Sequence, residues 1–311
     1  MKALESILLL FFGAIAARFF GRRLFYAWLE RKQKAFISQV LRRSRSRERE
    51  RLIVSLSTLP DRIDNLAPTL RCLLEQTRPA DEIIIALPDF SVRQQREYKI
   101  PAFLEKMPQV QILRSGHDWG PATKFIPIIQ RELERGNKDT LIVVVDDDRI
   151  YPRDALETYA HYSRELPDAA LCFRGAAMPR SFDWRKARMI HGNRLREPKR
   201  VAVITGCGSY LIKPGFFDAT LWNYGGAPGA AFYMDDIWIS GSLDRRGVKK
   251  YVVPSSLRLR SVKEQARTMT LHDVPNGRQP NNNETIAYFR SGWNVFPIPS
   301  ESFFSRWRFF R

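Results

Sequence analysis

The sequence predicts an α/β protein built on a mostly parallel sheet flanked by helices, with membrane-associated helices at its N-terminus. Three observations predict it. Short β-branched apolar runs recur from Leu52 onward, helix-period segments separate them, and a basic, aromatic-rich apolar stretch precedes the first run. Strands that alternate with helices require right-handed crossovers, which make neighbouring strands parallel and cover both faces of the sheet. Ligands of such sheets sit outside the carboxyl ends of the strands, so chemistry is expected in the residues that follow each apolar run.

The chain opens with an apolar run at 7–17, bounded by Glu5 and Arg18. A simple membrane span needs about 18 to 20 apolar residues, so a short span with a snorkelling Arg18 and a helix lying in the interface both fit. Residues 19–29 then mix Phe19, Phe20, Phe25, Tyr26 and Trp28 with Arg22 and Arg23, as interfacial helices do. Docking of this segment on the protein's own core is the competing explanation. Positive charge lies mainly after the apolar run, which fits a cleaved signal peptide poorly and favours a cytoplasmic C-terminal flank. Net charge is +18, and residues 1–51 carry 13 Lys or Arg against 4 Glu, half of that excess. An anionic surface is the implied partner. The arginine-rich stretch 42–51 reads as a solvated linker, and no aromatic platform or nucleic-acid recognition motif follows it.

Strands are expected at 52–56, 82–87, 110–113 and 141–145, and helices at 63–76, 92–106 and 122–135. A helix at 153–165 leads to short strands near 170–174, 201–205 and 209–212. A last helix at 235–246 stops at Gly247, a suitable C-cap. Cys72, Cys172 and Cys207 are odd in number and have no CxxC spacing, so they read as small core residues and not as a disulfide or zinc framework. The tail 303–311 alternates aromatics with arginine and is a second candidate for a membrane surface.

The strongest chemical signal is Asp146-Asp147-Asp148 at the end of the apolar strand 141–145. Three carboxylates at a sheet's functional edge need a counter-charge, and a divalent cation with oxygen ligands supplies it. Alternation along a strand puts Asp146 and Asp148 on one face, able to share a metal, while Asp147 points elsewhere. Helix capping by Asp148 or Asp154 is the plainer explanation, but a cap needs one carboxylate and not three. In Trp119-Gly120-Pro121-Ala122-Thr123-Lys124, Gly and Pro open a helix whose free N–H groups could face an anion, with Lys124 in its first turn beside it. Asp235-Asp236 opens the late helix, where capping explains Asp235 more readily than Asp236. Glycines in Thr205-Gly206-Cys207-Gly208-Ser209 leave room for backbone to approach a ligand.

The run Asp146-Asp147-Asp148-Arg149-Ile150-Tyr151-Pro152 is similar to the DxD motif of GT-A (Rossmann-like) glycosyltransferases, and the order of the other segments resembles the family 2-like and exostosin-like members. The resemblance covers about residues 52–251. It implies a metal-dependent enzyme that moves a sugar from a nucleotide diphosphate, with a UDP-sugar as the leading donor, to a hydroxyl of a membrane-associated glycan or glycolipid. Mn2+ or Mg2+ is the implied cofactor, held by Asp148 directly and by Asp146, which reaches the ribose or a metal-bound water. Ser57, at the end of the first strand, Arg62, Lys124, Asp146 and Asp147 form the implied donor-binding group. Asp236, with Asp235, is the implied catalytic acid pair facing the acceptor. Many members add a C-terminal histidine to the metal, and His272 is better placed for it than His191. The Q-x-x-R-W element of processive synthases is missing, since Trp293 has no such neighbours.

The expected organisation is membrane-anchoring or interfacial helices at 1–41, a basic linker at 42–51, a catalytic domain at 52–260 and a C-terminal extension at 261–311. The expected setting is polysaccharide or lipopolysaccharide biosynthesis at the cytoplasmic face of a bacterial inner membrane, with no nucleic acid as partner. A sugar nucleotidyltransferase is one rival, but no Gly-rich nucleotide loop follows residues 52–57. A non-enzymatic membrane- or nucleic-acid-binding protein is another, and the clustered carboxylates speak against it.

Overall fold

The computed structural model describes residues 24–42, 49–256, 260–262 and 278–293. The apolar run 7–17, most of the linker, His272 and the aromatic tail lie outside the described residues. Two compact units make up the chain, 1–45 and 46–311. In the first, helix α1 (24–42) exposes Leu24, Phe25, Tyr26, Trp28 and Leu29, and Lys32 Nζ stands 4.2 Å from the Trp28 ring centroid. No helix among the described residues is long and apolar enough to cross a membrane.

In chain order the strands of the second unit are β1 (Leu52–Leu56), β2 (Glu82–Pro88), β3 (Phe90–Ser91), β4 (Arg96–Glu97), β5 (Val110–Ser115), β6 (Leu141–Val144) and β7 (Ala169–Cys172). They continue with β8 (Arg174–Ala177), β9 (Arg188–His191), β10 (Lys199–Arg200), β11 (Val203–Ile204), β12 (Tyr210–Ile212) and β13 (Lys249–Val252). The helices are α2 (Ala67–Leu74), α3 (Ala102–Glu105), α4 (Ile126–Glu134), α5 (Ala155–Glu165), α6 (Asp235–Arg245) and α7 (Arg278–Phe289).

Eight strands form one sheet in the order β10-β13-β7-β12-β6-β1-β2-β5. Neighbours β5, β2, β1 and β6 are parallel, β12 runs antiparallel between β6 and β7, and β10 is antiparallel to β13. Period-two alternation decides which helix covers which face. Leu52, Val54 and Leu56 pack in one core with Leu66, Leu70, Leu73 and Tyr159 from the α2 and α5 side. Ile53 faces the other core, with Ile126, Ile129, Ile237, Trp238 and Phe289 from α4, α6 and α7. With both faces covered, β1, β2 and β6 read as largely apolar, buried runs, and each fully buried Leu, Ile or Val contributes about 1.5–3 kcal/mol.

Four expectations need correction. The helix expected at 63–76 is broken: residues Ile63–Asn65 make a 3-10 turn, and α2 restarts at Ala67 with Pro68 in its first turn, where a missing N–H costs nothing. The helix expected at 92–106 shrinks to α3, because β3 and β4 pair across a tight turn in which Gln95 takes φ +52°. The last strand before the aspartates ends at Val144, since the Asp146 N–H leaves the ladder and donates to the Tyr151 hydroxyl at 2.9 Å. The strand expected at 209–212 forms as β12, but its antiparallel direction was not foreseen. The late helix stops as expected, with Gly247 at φ +71° just beyond it.

Candidate active site

After β1 the chain crosses to β2 and β5 on one side, and then returns to lay β6 on β1's other side. The crevice between the carboxyl ends of β1 and β6 is therefore the topological switch point. A cavity of about 280 Å3 opens there. Its walls include Ser57, Arg62, Lys124, Asp146, Asp147, Asp148, Asp235 and Asp236, so every predicted site residue that the structure describes lines one cleft. His191 pairs with Arg174 across β8 and β9 and does not line it.

Antiparallel β12 explains how the late residues arrive. Its first residue, Tyr210, lies opposite Val144 at the end of β6, so the preceding turn 206–209 hangs over the same edge. The Gly206 N–H donates to Asp236 Oδ1 at 2.8 Å. A Cβ at Gly206 would stand 2.6 Å from Lys124 Nζ and 3.1 Å from Asp146 Oδ1, so any side chain here would displace the Lys124 ammonium.

Lys124 ends a 3-10 turn, Gly120–Lys124, and does not sit in the first turn of the following helix. This corrects the expectation of an anion-facing helix start. Its ammonium instead lies 2.8 Å from both Asp146 Oδ1 and Asp235 Oδ2, joining the early and late aspartates. Its carbonyl accepts a 2.7 Å bond from the buried Ser55 hydroxyl of β1, which fixes the turn on the sheet. Burial works against the charge on Lys124, but Asp146 and Asp235 outweigh it and hold the pKa well above the usual lysine value.

Asp147 does turn away from its neighbours, though a turn and not strand pleating separates them, since all three aspartates follow the end of β6. Its carboxylate accepts from Thr58 Oγ1 at 2.6 Å and Arg62 Nη1 at 3.2 Å, and its carbonyl accepts from Thr69 Oγ1 at 2.8 Å. Burial pushes the Asp147 carboxyl up to about 6, with Arg62 and Thr58 opposing. Asp148 stays at the cleft with Arg149 Nε 3.2 Å away, and its pKa is raised by burial and by Asp146 beside it. Among the described residues no three His, Cys, Asp or Glu side chains converge as a metal cage. Asp146 and Asp148 nonetheless suit a cation that takes most of its ligands from a diphosphate and water, as Mg2+ commonly does. A desolvated carboxylate beside a like charge is the condition such a cation relieves.

Sequence reasoning missed Thr58, Arg149, Arg93 and Tyr98. Thr58 and Arg149 adjoin predicted residues and could have been found by proximity. Arg93 and Tyr98 line the cleft from a segment expected as helix, where no local signal marks them. The Tyr98 hydroxyl donates to the Thr58 carbonyl at 2.9 Å and so braces the end of β1.

The model of glycosyl transferase family 2 matches residues 61–218, just over half of the chain and spanning Arg62, Lys124 and the aspartate triplet. The chain belongs to glycosyl transferase family 2. This family 2 chain carries the mostly parallel α/β sheet described above, and the matched segment runs from the loop after β1 through β12. Among solved structures it is similar to GalNAc-T7 crystallised with UDP, GalNAc and Mn2+, at 16% identity and a TM-score of 0.45, covering 67% of this chain and 43% of that one. It is also similar to a 4-diphosphocytidyl-2C-methyl-D-erythritol synthase, at 12% identity and a TM-score of 0.42, covering 70% of this chain and 96% of that one. The family 2 chain thus spans less than half the length of the first of these. No curated protein matches it.

Proposed function

We propose that this enzyme transfers a sugar from a nucleoside diphosphate, with a UDP-sugar as the leading donor, to a hydroxyl of a membrane-associated glycan or glycolipid. The observation that carries the reading is the convergence of the β1 end, the aspartate triplet and the α6 N-terminus on one cleft. Six aspartates and four basic side chains line that cleft, so an anionic diphosphate meets an excess of negative charge. A divalent cation, Mn2+ or Mg2+, held at Asp148 and Asp146 would offset that excess and, when bound, would stabilise the diphosphate as it leaves.

Ser57 and Arg62 flank the β1 end where the nucleotide lies in this reading. Asp147 orients Arg62 through their ion pair, which makes Asp147 a positioning residue. Asp235 is committed to Lys124, whereas Asp236 is less buried and accepts from the Gly206 N–H. Asp236 is therefore the group suited to take the acceptor hydroxyl proton, and Asp235 the one that holds the late acids against the donor side.

The exposed Leu24, Phe25, Tyr26, Trp28 and Leu29 on α1, with the basic surplus of the first 51 residues, support attachment to an anionic membrane surface. The reading extends to the cytoplasmic face of a bacterial inner membrane, the side that basic residues after the apolar run favour, and to polysaccharide or lipopolysaccharide assembly, as the family resemblance implies. The organisation proposed is an interfacial segment at 1–41, a linker at 42–51, the catalytic domain at 52–260 and an extension at 261–311.

Substituting Asp148→Ala tests the donor site. Hydrolysis of the nucleotide sugar in Mn2+ is expected to fall at least a hundredfold. Wild-type hydrolysis by the variant, or by the native enzyme in excess chelator, would refute the metal-dependent reading.

A further inference from the structure

The turn that carries Gly206 over the cleft has an uncommon backbone. It runs from Thr205 to Ser209, between β11 and β12, and its two glycines, Gly206 and Gly208, keep φ outside the left-handed region. Ser209 is the residue that enters that region, with φ +66° and ψ +160°. This combination belongs almost wholly to glycine, and a residue with a Cβ persists in it only where its surroundings hold it there. The glycines meet a different need. A Cβ at Gly208 would stand 2.6 Å from Arg174 Cβ and 2.9 Å from Arg174 N, so close approach claims the glycine and the strained place falls to a residue with a side chain.

That side chain has a partner in the core. Ser209 is buried, and its hydroxyl shares a 2.9 Å hydrogen bond with the hydroxyl of Tyr159, itself fully buried on α5. The Tyr159 ring stacks on Phe173 at 4.0 Å and 15°, which fixes where its hydroxyl stands. The backbone of Ser209 is tied as well: its N–H donates to the Gly206 carbonyl at 2.7 Å, and its carbonyl accepts from the Phe173 N–H at 3.4 Å. The first of these bonds closes the turn on Gly206, whose own N–H donates to Asp236 Oδ1 at 2.8 Å. Ser209 thus stands between a fixed core aromatic and the amide that holds Asp236. Since α5 follows the aspartate triplet, the hydroxyl pair also ties the late turn to the element that the triplet leads into.

We infer that the hydroxyl pair of Ser209 and Tyr159 is a latch and that Ser209 is a positioning residue for glycosyl transfer: the latch holds the strained turn, and the turn aims the Gly206 N–H at Asp236 and so fixes the orientation of that carboxylate. The inference rests on the reading of Asp236 as the group that takes the acceptor hydroxyl proton. A general base must meet its proton at hydrogen-bond distance and in a set direction, so freedom to rotate lowers the rate without altering the chemistry. Folding alone gives no reason for serine here, because glycine would relieve the strain. Neither Ser209 nor Tyr159 lines the cleft, so both act through the turn and not on the substrate.

The test compares Ser209→Gly, Tyr159→Phe and the double variant with the full-length wild type. Ser209→Gly relieves the strain and removes the latch, and Tyr159→Phe keeps the ring and its stacking, so all three are expected to fold with a Tm within a few degrees of wild type. By NMR, the Gly206 and Gly208 amides should exchange with solvent at least about tenfold faster in each variant, while those of Val143 and Val144 in β6 keep their wild-type rates. Hydrolysis of UDP-glucose, UDP-galactose and UDP-N-acetylglucosamine with Mn2+, in which water replaces the acceptor, gives the second readout. There kcat per folded molecule should fall at least about tenfold, with the donor KM within about twofold of wild type. A residue that only supported folding would lower Tm and leave that kcat unchanged. The double variant should be no slower than the slower single variant, because the same bond is lost in all three. Unchanged exchange in both single variants, unchanged kcat, or losses that multiply in the double variant overturns the latch. If the wild type hydrolyses none of these donors, the UDP-sugar reading fails, and the exchange rates still decide whether the hydroxyl pair holds the turn.

Discussion

Lys124 is the residue on which the two halves of the site depend. Its ammonium bridges Asp146, just after β6, and Asp235, at the start of α6. Removing one partner of a buried ion pair leaves the other charge uncompensated, at a cost of about 3–5 kcal/mol. Lys124→Met is therefore expected to lower stability by several kcal/mol in chemical denaturation and to abolish transfer, and a fully stable, active variant would contradict the bridge. Gly206→Ala makes a gentler test, because its Cβ meets the flexible end of Lys124 first. Folding is expected to survive with a loss of about 1–3 kcal/mol, as for other overpacked sites. Activity should fall much further than stability, measured as donor hydrolysis on a variant shown to be folded. The triplet of aspartates was legible in the sequence because acidic residues at a strand end are rare and costly. Lys124's true partners were not, since its ammonium reaches Asp235, 111 positions along the chain, through a contact that only the fold creates.

At the scale of elements, the parallel half of the sheet was legible because β1, β2 and β6 are buried on both faces and carry apolar runs, while the partly exposed edge strand β5 was marked by its shorter run 110–113. What escaped was short or held by distant partners. Strands β3 and β4 are two residues each and pair across a turn, and nothing local distinguishes their polar sequence from a solvated helix. The antiparallel direction of β12 depends on a turn over the site and has no signature in three apolar residues. The packing of α6 on β13 hides another such long-range feature. Lys250 of β13 is fully buried, donates to the Ser240 carbonyl at 3.0 Å and pairs with Asp244 of α6. Burial lowers its pKa to about 8, against the pull of Asp244. A lysine whose folded pKa lies below its unfolded value is less protonated in the native state, so stability rises with pH between about 8 and about 10.4. Over that window the wild type should gain about 3 kcal/mol relative to Lys250→Met/Asp244→Leu, by urea denaturation at each pH. A difference that stays flat from pH 7.5 to 10.5 would mean that Lys250 keeps its charge at no cost.

At the scale of the whole molecule, the sheet order puts the switch point between β1 and β6, and the return of β12 and α6 adds the second acid pair to the same edge. In the proposed function, a divalent cation offsets the excess of carboxylates in the cleft and so favours binding of the nucleotide diphosphate beside it. Ligands that bind the native state raise its apparent stability by RT ln(1 + [L]/Kd), about 2.7 kcal/mol at a hundredfold excess over Kd. The most direct measurement is thermal unfolding of the full-length protein with UDP, with Mn2+, with both, and with UDP plus chelator. The account predicts a rise of several degrees in Tm with UDP and Mn2+ together, little change with UDP alone, and loss of the joint effect in Asp148→Ala. An equal rise with UDP in excess chelator, or an unchanged joint effect in Asp148→Ala, would contradict it.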